Sequence, residues 1–361
     1  MAAADLREAL VSDRDTSQAV GQIPSTAGGL ARLACARAKA AGLKLQPLLQ
    51  KSGLALSQIE DARARLKVRD QIKFLNTVAD ALDDEYLGFH LALHCDLRET
   101  GMLYYILASS ETVLEGLKQT SRYASIVNEG MVPTCLAIGR VGVSYRYVGI
   151  SRHLDRHQVE FWMTALLRAC RDLTGLQILP SRIRLSHFRE RGAKDISEFF
   201  GTGVRYGATC DDMEFSANVG QFPIASADPY LNNLLISTCE EATSHRPRIH
   251  GTFRQDVENV LVPLLPHGKA RADEIARRIG VSKRTLARRL SQEGLTFPEL
   301  LKSLRMDLGR YYFTQRDLSI SQIAWLLGYR EVSAFSHAFK RWTGETPRNM
   351  RSGLKPFAFV R

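Results

Sequence analysis

Cysteine is scarce in this 361-residue sequence: there are six, scattered, with no C-x-x-C and no paired spacing. That argues against a zinc ribbon or a disulfide framework and leads us to expect buried free thiols in a reducing cytosol. Long apolar runs are missing too. The longest stretch free of charged side chains, Thr16 to Ala31, is full of Ser, Thr, Gly and Pro. A membrane-spanning helix needs about 20 mainly apolar residues, so no span and no membrane partner is expected. Residues 1–25 are expected to be a flexible N-terminus. They carry Asp5, Glu8, Asp13 and Asp15 and have no apolar core of a secretory signal, which points to a cytoplasmic location. There is no G-x-S-x-G, no phosphate loop, no dinucleotide fingerprint and no H-E-x-x-H. Neither an enzyme nor a cofactor is therefore expected.

What the chain does have is basic charge, and the charge is unevenly placed. Lys and Arg number 49 against 38 Asp and Glu, a formal charge of +11. Residues 1–244 hold 27 basic and 28 acidic side chains, net −1; residues 245–361 hold 22 and 10, net +12. All six cysteines fall in the first part. The turn-prone stretch 245–251 is thus read as a linker between a domain at 26–244 and one at 252–361. A net charge of this size suggests a polyanionic partner.

Within the basic third, helical signals come in a repeated order. Residues 254–265 read as a helix with Val257, Val260, Leu261 and Leu264 on one face. Ala272 to Ile279 follows, with acids in its first turn, Arg277 and Arg278 in its last, and Gly280 as a stop. Ser282 is an N-cap for a second short helix, Lys283 to Gln292, and the pair forms a helix-turn-helix. Leu286 and Leu290 must face the core. Arg284, Ala287, Arg288 and Ser291 then share an outer face, with Lys283 and Thr285 beside them. A cationic face that is small in the middle suits the DNA major groove, where Arg bonds guanine bidentately.

Thr296-Phe297-Pro298-Glu299 is a capping box that opens a long helix to about Gln315, its buried stripe being Leu300, Leu301, Leu304, Leu308 and Tyr311 or Tyr312. The order then repeats. Ser319 to Gln322 is a second capping box, Ile323 to Leu327 a short helix, Gly328 its stop, and Ser333 to Trp342 a second recognition helix. Phe335, Ala338, Phe339 and Trp342 are expected inside, with Ala334, His337, Lys340 and Arg341 outside. Two reading heads joined by a stiff helix suit successive major grooves of double-stranded DNA.

The run Gly328 to Pro347 (GYREVSAFSHAFKRWTGETP) closely resembles the signature that ends the DNA-binding domain of AraC/XylS-type transcription regulators. The resemblance covers about 251–352. It implies an all-α DNA-binding domain with two helix-turn-helix units, a regulator that usually acts as an activator, RNA polymerase as a partner and a homodimer as a usable assembly. By the same resemblance, Arg284, Ala287 and Arg288 fall where family members touch bases, and Ser333, Ala334 and His337 are the matching positions in the second unit. His337 stands where the family very often has Arg, and a neutral His is the weaker partner.

The first two thirds read as α+β. Helices are expected over 28–50, 58–66, 69–83, 112–128, 157–173 and 194–200, with an apolar segment at 91–108. A hairpin is expected over 131–138 and 141–148, with strands at 182–186, 203–206 and 213–215 completing an antiparallel sheet. Thr100 to Val113, Ser121-Arg122-Tyr123, Gly203 to Gly207 and Met213 to Phe215 resemble the arabinose-binding-like sensor domain of one AraC subgroup. That resemblance implies a domain that binds a small-molecule effector or oligomerises, and it assigns no ligand residue. His90 with His94 and Cys95, and His153 with His157, have a helical spacing compatible with a metal. Ordinary satisfied histidines are the preferred reading, and no metal is assigned. Tyr104, Tyr105, Phe161 and Trp162 are read as core packing in preference to a pocket lining. A metal-dependent or enzyme-like sensor, and a ligand-independent repressor, are the alternatives.

Overall fold

The computed structural model describes residues 24–137, 139–147, 155–189, 194–244, 253–314 and 318–349. The expected linker 245–251, His153 and nearly all of the expected flexible N-terminus lie outside these. The chain divides into two compact units, Met1–Ser181 with Asp212–Gln255, and Arg182–Asp211 with Asp256–Arg361.

The first unit begins with a short strand β1 (Ser25–Thr26), then α1 (Gly29–Ala40), α2 (Leu45–Ser52) and α3 (Leu56–Glu60). Strand β2 (Leu66–Lys67) pairs antiparallel with β1 and leads into α4 (Val68–Leu82). The single helix expected over 28–50 is thus two. Gly42 takes the left-handed φ of 76° after α1, where the backbone turns. The segment 58–66 is likewise split between the end of α3 and β2. Next come α5 (Leu87–His94), α6 (Met102–Ser109) and α7 (Val113–Tyr123), which resolve the apolar segment and the helical stripe after it.

Strands β3 (Met131–Leu136) and β4 (Val141–Tyr147) form the expected antiparallel hairpin, with Met131 opposite Tyr147 and Leu136 opposite Gly142. The long helix α8 (Arg156–Thr174) crosses α5 so closely that a Cβ on Gly88 would collide with the His157 carbonyl. Arg168 ties the same pair together. Its Nη1 donates to the carbonyls of Ala92, Leu93 and Cys95 at 2.8, 3.0 and 2.8 Å, occupying acceptors that the C-terminal turn of α5 leaves open. Phe74, Phe89, Phe161 and Phe215 are fully buried and mark the centre of the core.

In the second unit, β5 (Arg182–Arg184) and β6 (Val204–Arg205) flank α9 (Lys194–Phe200). They run parallel, Ile183 opposite Val204, which corrects the expectation of a wholly antiparallel sheet. A helix between two strands returns the chain to the same end, so parallel pairing follows from the connection. The chain then returns to the first unit, where strand β7 (Asp211–Phe215), all but its first residue in that unit, lies beside β4. Helix α10 (Pro229–Ser244), also in the first unit, was not anticipated: its buried residues are Asn232 and Cys239, too few to mark an apolar stripe. The remaining helices are α11 (Phe253–Leu261), α12 (Ala272–Ile279), α13 (Lys283–Gln292), α14 (Phe297–Thr314), α15 (Ile320–Leu326) and α16 (Val332–Thr343).

A cavity of about 80 Å³ opens in the first unit between α6, α7, α8 and the β3–β4 hairpin. Tyr104 and Trp162 line it, contrary to the expectation of plain core packing. Phe161 points into the solid core, and Tyr105 is 42% exposed. Among the described residues no helix is long and apolar enough to cross a membrane.

Candidate nucleic-acid interface

The first helix-turn-helix is built by local rules. Glu274, in the first turn of α12, accepts from Arg277 Nη2 at 2.6 Å and from Arg278 Nε at 2.7 Å. These two guanidinium groups hold its carboxyl down to about 2. Gly280 ends α12 with a left-handed φ of 78°. Ser282 then caps α13, its Oγ accepting from the Thr285 N–H at 3.1 Å and lying 2.9 Å from the Thr285 hydroxyl. Leu286 and Leu290 are buried, and that fixes the rotation of α13. Lys283, Arg284, Ala287, Arg288 and Ser291 are consequently exposed, with Thr285 half-buried against its cap.

Charge on α12 and α13 separates into two kinds. Arg277 and Arg278 are engaged by Glu274. Lys283, Arg284 and Arg288 have no hydrogen bond or ion-pair partner among the described residues, whereas Arg289 does interact with a neighbour. Lys283 still feels the Asp273 carboxylate, whose pKa it helps a backbone hydrogen bond to lower, so the positive charge of Arg284 and Arg288 on the outward face of α13 is the least compensated on these two helices.

The second unit repeats the construction. The Thr296–Glu299 box opens α14, with Thr296 N–H to Glu299 Oε2 at 2.8 Å and Glu299 N–H to Thr296 Oγ1 at 3.4 Å. The Ser319–Gln322 box opens α15 at 2.6 and 3.2 Å. Leu300, Leu304 and Leu308 are buried as expected, Leu301 is only half-buried, and Phe313 joins the core. Phe335 of α16 packs among Phe339 at 5.5 Å, Tyr329 at 5.6 Å and Phe313 at 6.3 Å between ring centroids. That aromatic cluster turns Ser333, Ala334, His337, Lys340 and Arg341 outward, and all five are exposed. Trp342, expected inside, is half-buried beside Tyr329. Trp325 is 42% exposed on α15 and meets Phe188 edge-on at 5.9 Å.

Two residues escaped the sequence reading. Arg305, on α14, is half-buried: its Nε donates to the Leu327 carbonyl at 2.9 Å and its guanidinium lies 4.8 Å from the Tyr329 ring centroid. Burial pulls its pKa down, though an Arg remains charged. Nothing in the sequence separates it from the surface arginines. Arg330 is exposed immediately before α16, and its signal was its place next to the recognition helix.

The histidine pairs do not converge. His90 Nδ1 lies 2.9 and 3.0 Å from the Asp84 carboxylate oxygens, His94 is exposed, and His157 is buried at the α5–α8 crossing. Among the described residues no group of three or more His, Cys, Asp or Glu side chains could hold a metal ion.

Residues 42–224, half of the chain, match the family model described as the arabinose-binding domain of AraC transcription regulators. Residues 275–353 match a helix-turn-helix domain. The chain belongs to the AraC family of transcription regulators. Its relatives include the HTH-type transcriptional regulator VirS of Mycobacterium tuberculosis, 29% identical over 78% of this chain and 83% of its own length. The ornithine utilization regulator of Pseudomonas aeruginosa is 22% identical over 86% of this chain and 91% of its own. A solved structure of the transcriptional regulator CdpR from Pseudomonas aeruginosa is 25% identical, covering 73% of this chain and 86% of that one, with a TM-score of 0.35. This family member is a DNA-binding transcription regulator with an α/β N-terminal domain and a helical C-terminal one.

Proposed function

We propose that the protein is an effector-controlled transcriptional activator whose α13 and α16 enter successive major grooves of promoter DNA. The observation that carries this reading is the cluster Lys283, Arg284 and Arg288 on the exposed face of a capped recognition helix, none of them in a hydrogen bond or salt bridge among the described residues. Arg284 and Arg288, with Ala287 between them leaving room for a base edge, read sequence. Lys283, Thr285 and Ser291 hold phosphates. On α16, Ser333, Ala334 and His337 face the bases, and Lys340 and Arg341 the backbone. With His337 at its centre instead of an Arg, the second unit supplies less base discrimination than the first.

In this reading residues 26–244 sense and oligomerise, 245–251 link, and 252–361 bind DNA in the cytoplasm. Exposed Tyr230, Leu231 and Leu234 on α10 supply an apolar surface for a homodimer. A small molecule bound more tightly in one arrangement than the other shifts the population towards the DNA-competent state, which recruits RNA polymerase. Footprinting of the full chain on its own upstream region, across a series of salt concentrations, tests the interface. A protected site of two half-sites in adjacent grooves, with affinity falling steeply in salt, is the expected result. An affinity indifferent to salt overturns it.

A further inference from the structure

The cavity of the first unit has a chemistry that its lining spells out. None of its nineteen lining residues is Asp, Glu, Lys, Arg, His or Cys. Most of the wall is aliphatic or aromatic, including Leu103, Leu107, Val143 and Leu166. Two lining side chains carry buried donors without a partner among the described residues, Asn128 Nδ2 and Trp162 Nε1. Asn128 is 3% exposed. Its Oδ1 accepts from the Gly130 N–H at 2.9 Å, which orients the amide and leaves Nδ2 the unused end. A buried donor left without an acceptor costs roughly as much as a hydrogen bond contributes, so a ligand whose entry lets either side chain turn its donor towards the cavity gains that hydrogen bond.

We propose that this cavity is the effector site, and that its effector is a small, uncharged, mainly apolar molecule with an oxygen acceptor, such as a ketone, held by Asn128 and Trp162. The assignment rests on the reading of the chain as effector-controlled. A carboxylate or an amino acid would enter without a counter-charge in the lining, at a desolvation cost the cavity does not offset. A pentose would bring several hydroxyls to a wall whose remaining polar groups, beyond Asn128 and Trp162, are the hydroxyls of Tyr104, Ser121 and Tyr145, since Thr100 Oγ1 and Thr120 Oγ1 already donate to the carbonyls of Leu97 and Gly116.

Occupancy has a route to the linker. Leu103 and Tyr104 of α6 line the cavity, and the same helix carries α10. Asn232 Nδ2 on α10 donates to the Ile106 carbonyl at 3.2 Å and to Ser109 Oγ at 3.0 Å, and Cys239 Sγ lies 3.0 Å from Met102 Sδ. Helix α10 is the last element before residues 245–251. A ligand that stiffens or shifts α6 therefore acts on the helix that precedes the DNA-binding region in the chain.

The test uses full-length protein with isotope-labelled indole nitrogens. There are three tryptophans, and Trp162→Phe identifies the signal of Trp162. Acetophenone and methyl hexyl ketone are the probes, with ethylbenzene, benzoate and L-arabinose as matched comparisons. The ketones should move the Trp162 N–H signal and bind roughly tenfold more tightly than ethylbenzene, the worth of about one hydrogen bond. Asn128→Leu should erase that preference, and the wild-type comparison stands even if the variant folds poorly. The proposal is overturned if neither ketone moves the Trp162 signal, if ethylbenzene binds as tightly, or if benzoate or arabinose binds more tightly. Promoter affinity measured with the same probes separates the two readings. Ketone binding at Trp162 without any change in DNA affinity keeps the site but removes the control. A different compound that changes DNA affinity while Trp162 stays unmoved keeps the control but removes this site.

Discussion

The Arg305 guanidinium lies 4.8 Å from the centre of the Tyr329 ring and donates from Nε to the Leu327 carbonyl at 2.9 Å. Leu327 and Tyr329 flank Gly328, the turn between α15 and α16. A single cation on the long helix α14 thus holds the turn of the second helix-turn-helix, capping a carbonyl at the end of α15 and covering an aromatic ring. Arg305→Met keeps much of the aliphatic stem and loses both polar contacts. A charge-assisted hydrogen bond and a partly buried cation–π contact together suggest a loss of about 2–3 kcal/mol. Urea unfolding followed by fluorescence should show a lower midpoint with an unchanged slope. A midpoint equal to wild type would reduce Arg305 to a bystander.

Gly328 itself is doubly constrained. Its φ is 76°, and a Cβ there would stand 2.5 Å from the Leu265 carbonyl oxygen. Gly294 has a similar φ of 72° with nothing within 4 Å of the missing Cβ. Gly294→Ala should therefore cost only the backbone strain, about 1 kcal/mol, while Gly328→Ala adds a steric collision and costs clearly more. Equal losses in thermal melts of the two variants would show that the contact with Leu265 relaxes freely.

On the DNA face, base readers and phosphate anchors should separate by experiment. Arg288→Ala should reduce discrimination against a mismatched base in one half-site by about 1–3 kcal/mol. Lys283→Ala should weaken binding on all sequences alike and lower the salt-dependence slope by about 1. Binding titrations on matched and mutated sites, at several salt concentrations, report both quantities. Uniform weakening by Arg288→Ala would move that residue to the phosphate group.

Acid sensitivity follows from Glu274. Its carboxyl is held at about 2, below its ordinary 4.5, by hydrogen bonds from Arg277 and Arg278. The folded value lies below the unfolded one, so the contribution is complete above about pH 4.5 and is lost as pH falls towards 2. All three groups are solvent-accessible, so the effect should be modest and weakened by salt. Glu274→Gln should flatten the acid limb of a stability–pH curve between those values. An unchanged limb would assign it to other carboxylates.

Much of the DNA-binding region was legible because its signals are local. Capping boxes at Thr296 and Ser319 and stops at Gly280 and Gly328 depend on residues three or four apart. So does the Leu286–Leu290 spacing that orients α13. The first unit was harder. The split at Gly42, the strand at Leu66–Lys67 and the helix α10 all depend on partners distant in the sequence. Trp325 and Trp342, both apolar by composition, are left partly exposed by packing that no pattern of three or four residues records.

Sequence alone determined where the positive charge lies, which helices carry it, and that the chain resembles the AraC/XylS regulators. Those properties follow from composition and short-range periodicity. Only the tertiary structure decided which arginines are free and which are spent. Arg277 and Arg278 answer Glu274, Arg305 is drawn in beneath Tyr329, and Arg284 and Arg288 are left exposed without a partner among the described residues. It also brought Asn128 and Trp162, 34 residues apart in the chain, to the lining of one uncharged cavity, each with a donor that has no partner among the described residues. Pairing and burial are properties of neighbours in space, and the spacing of residues along the chain does not contain them.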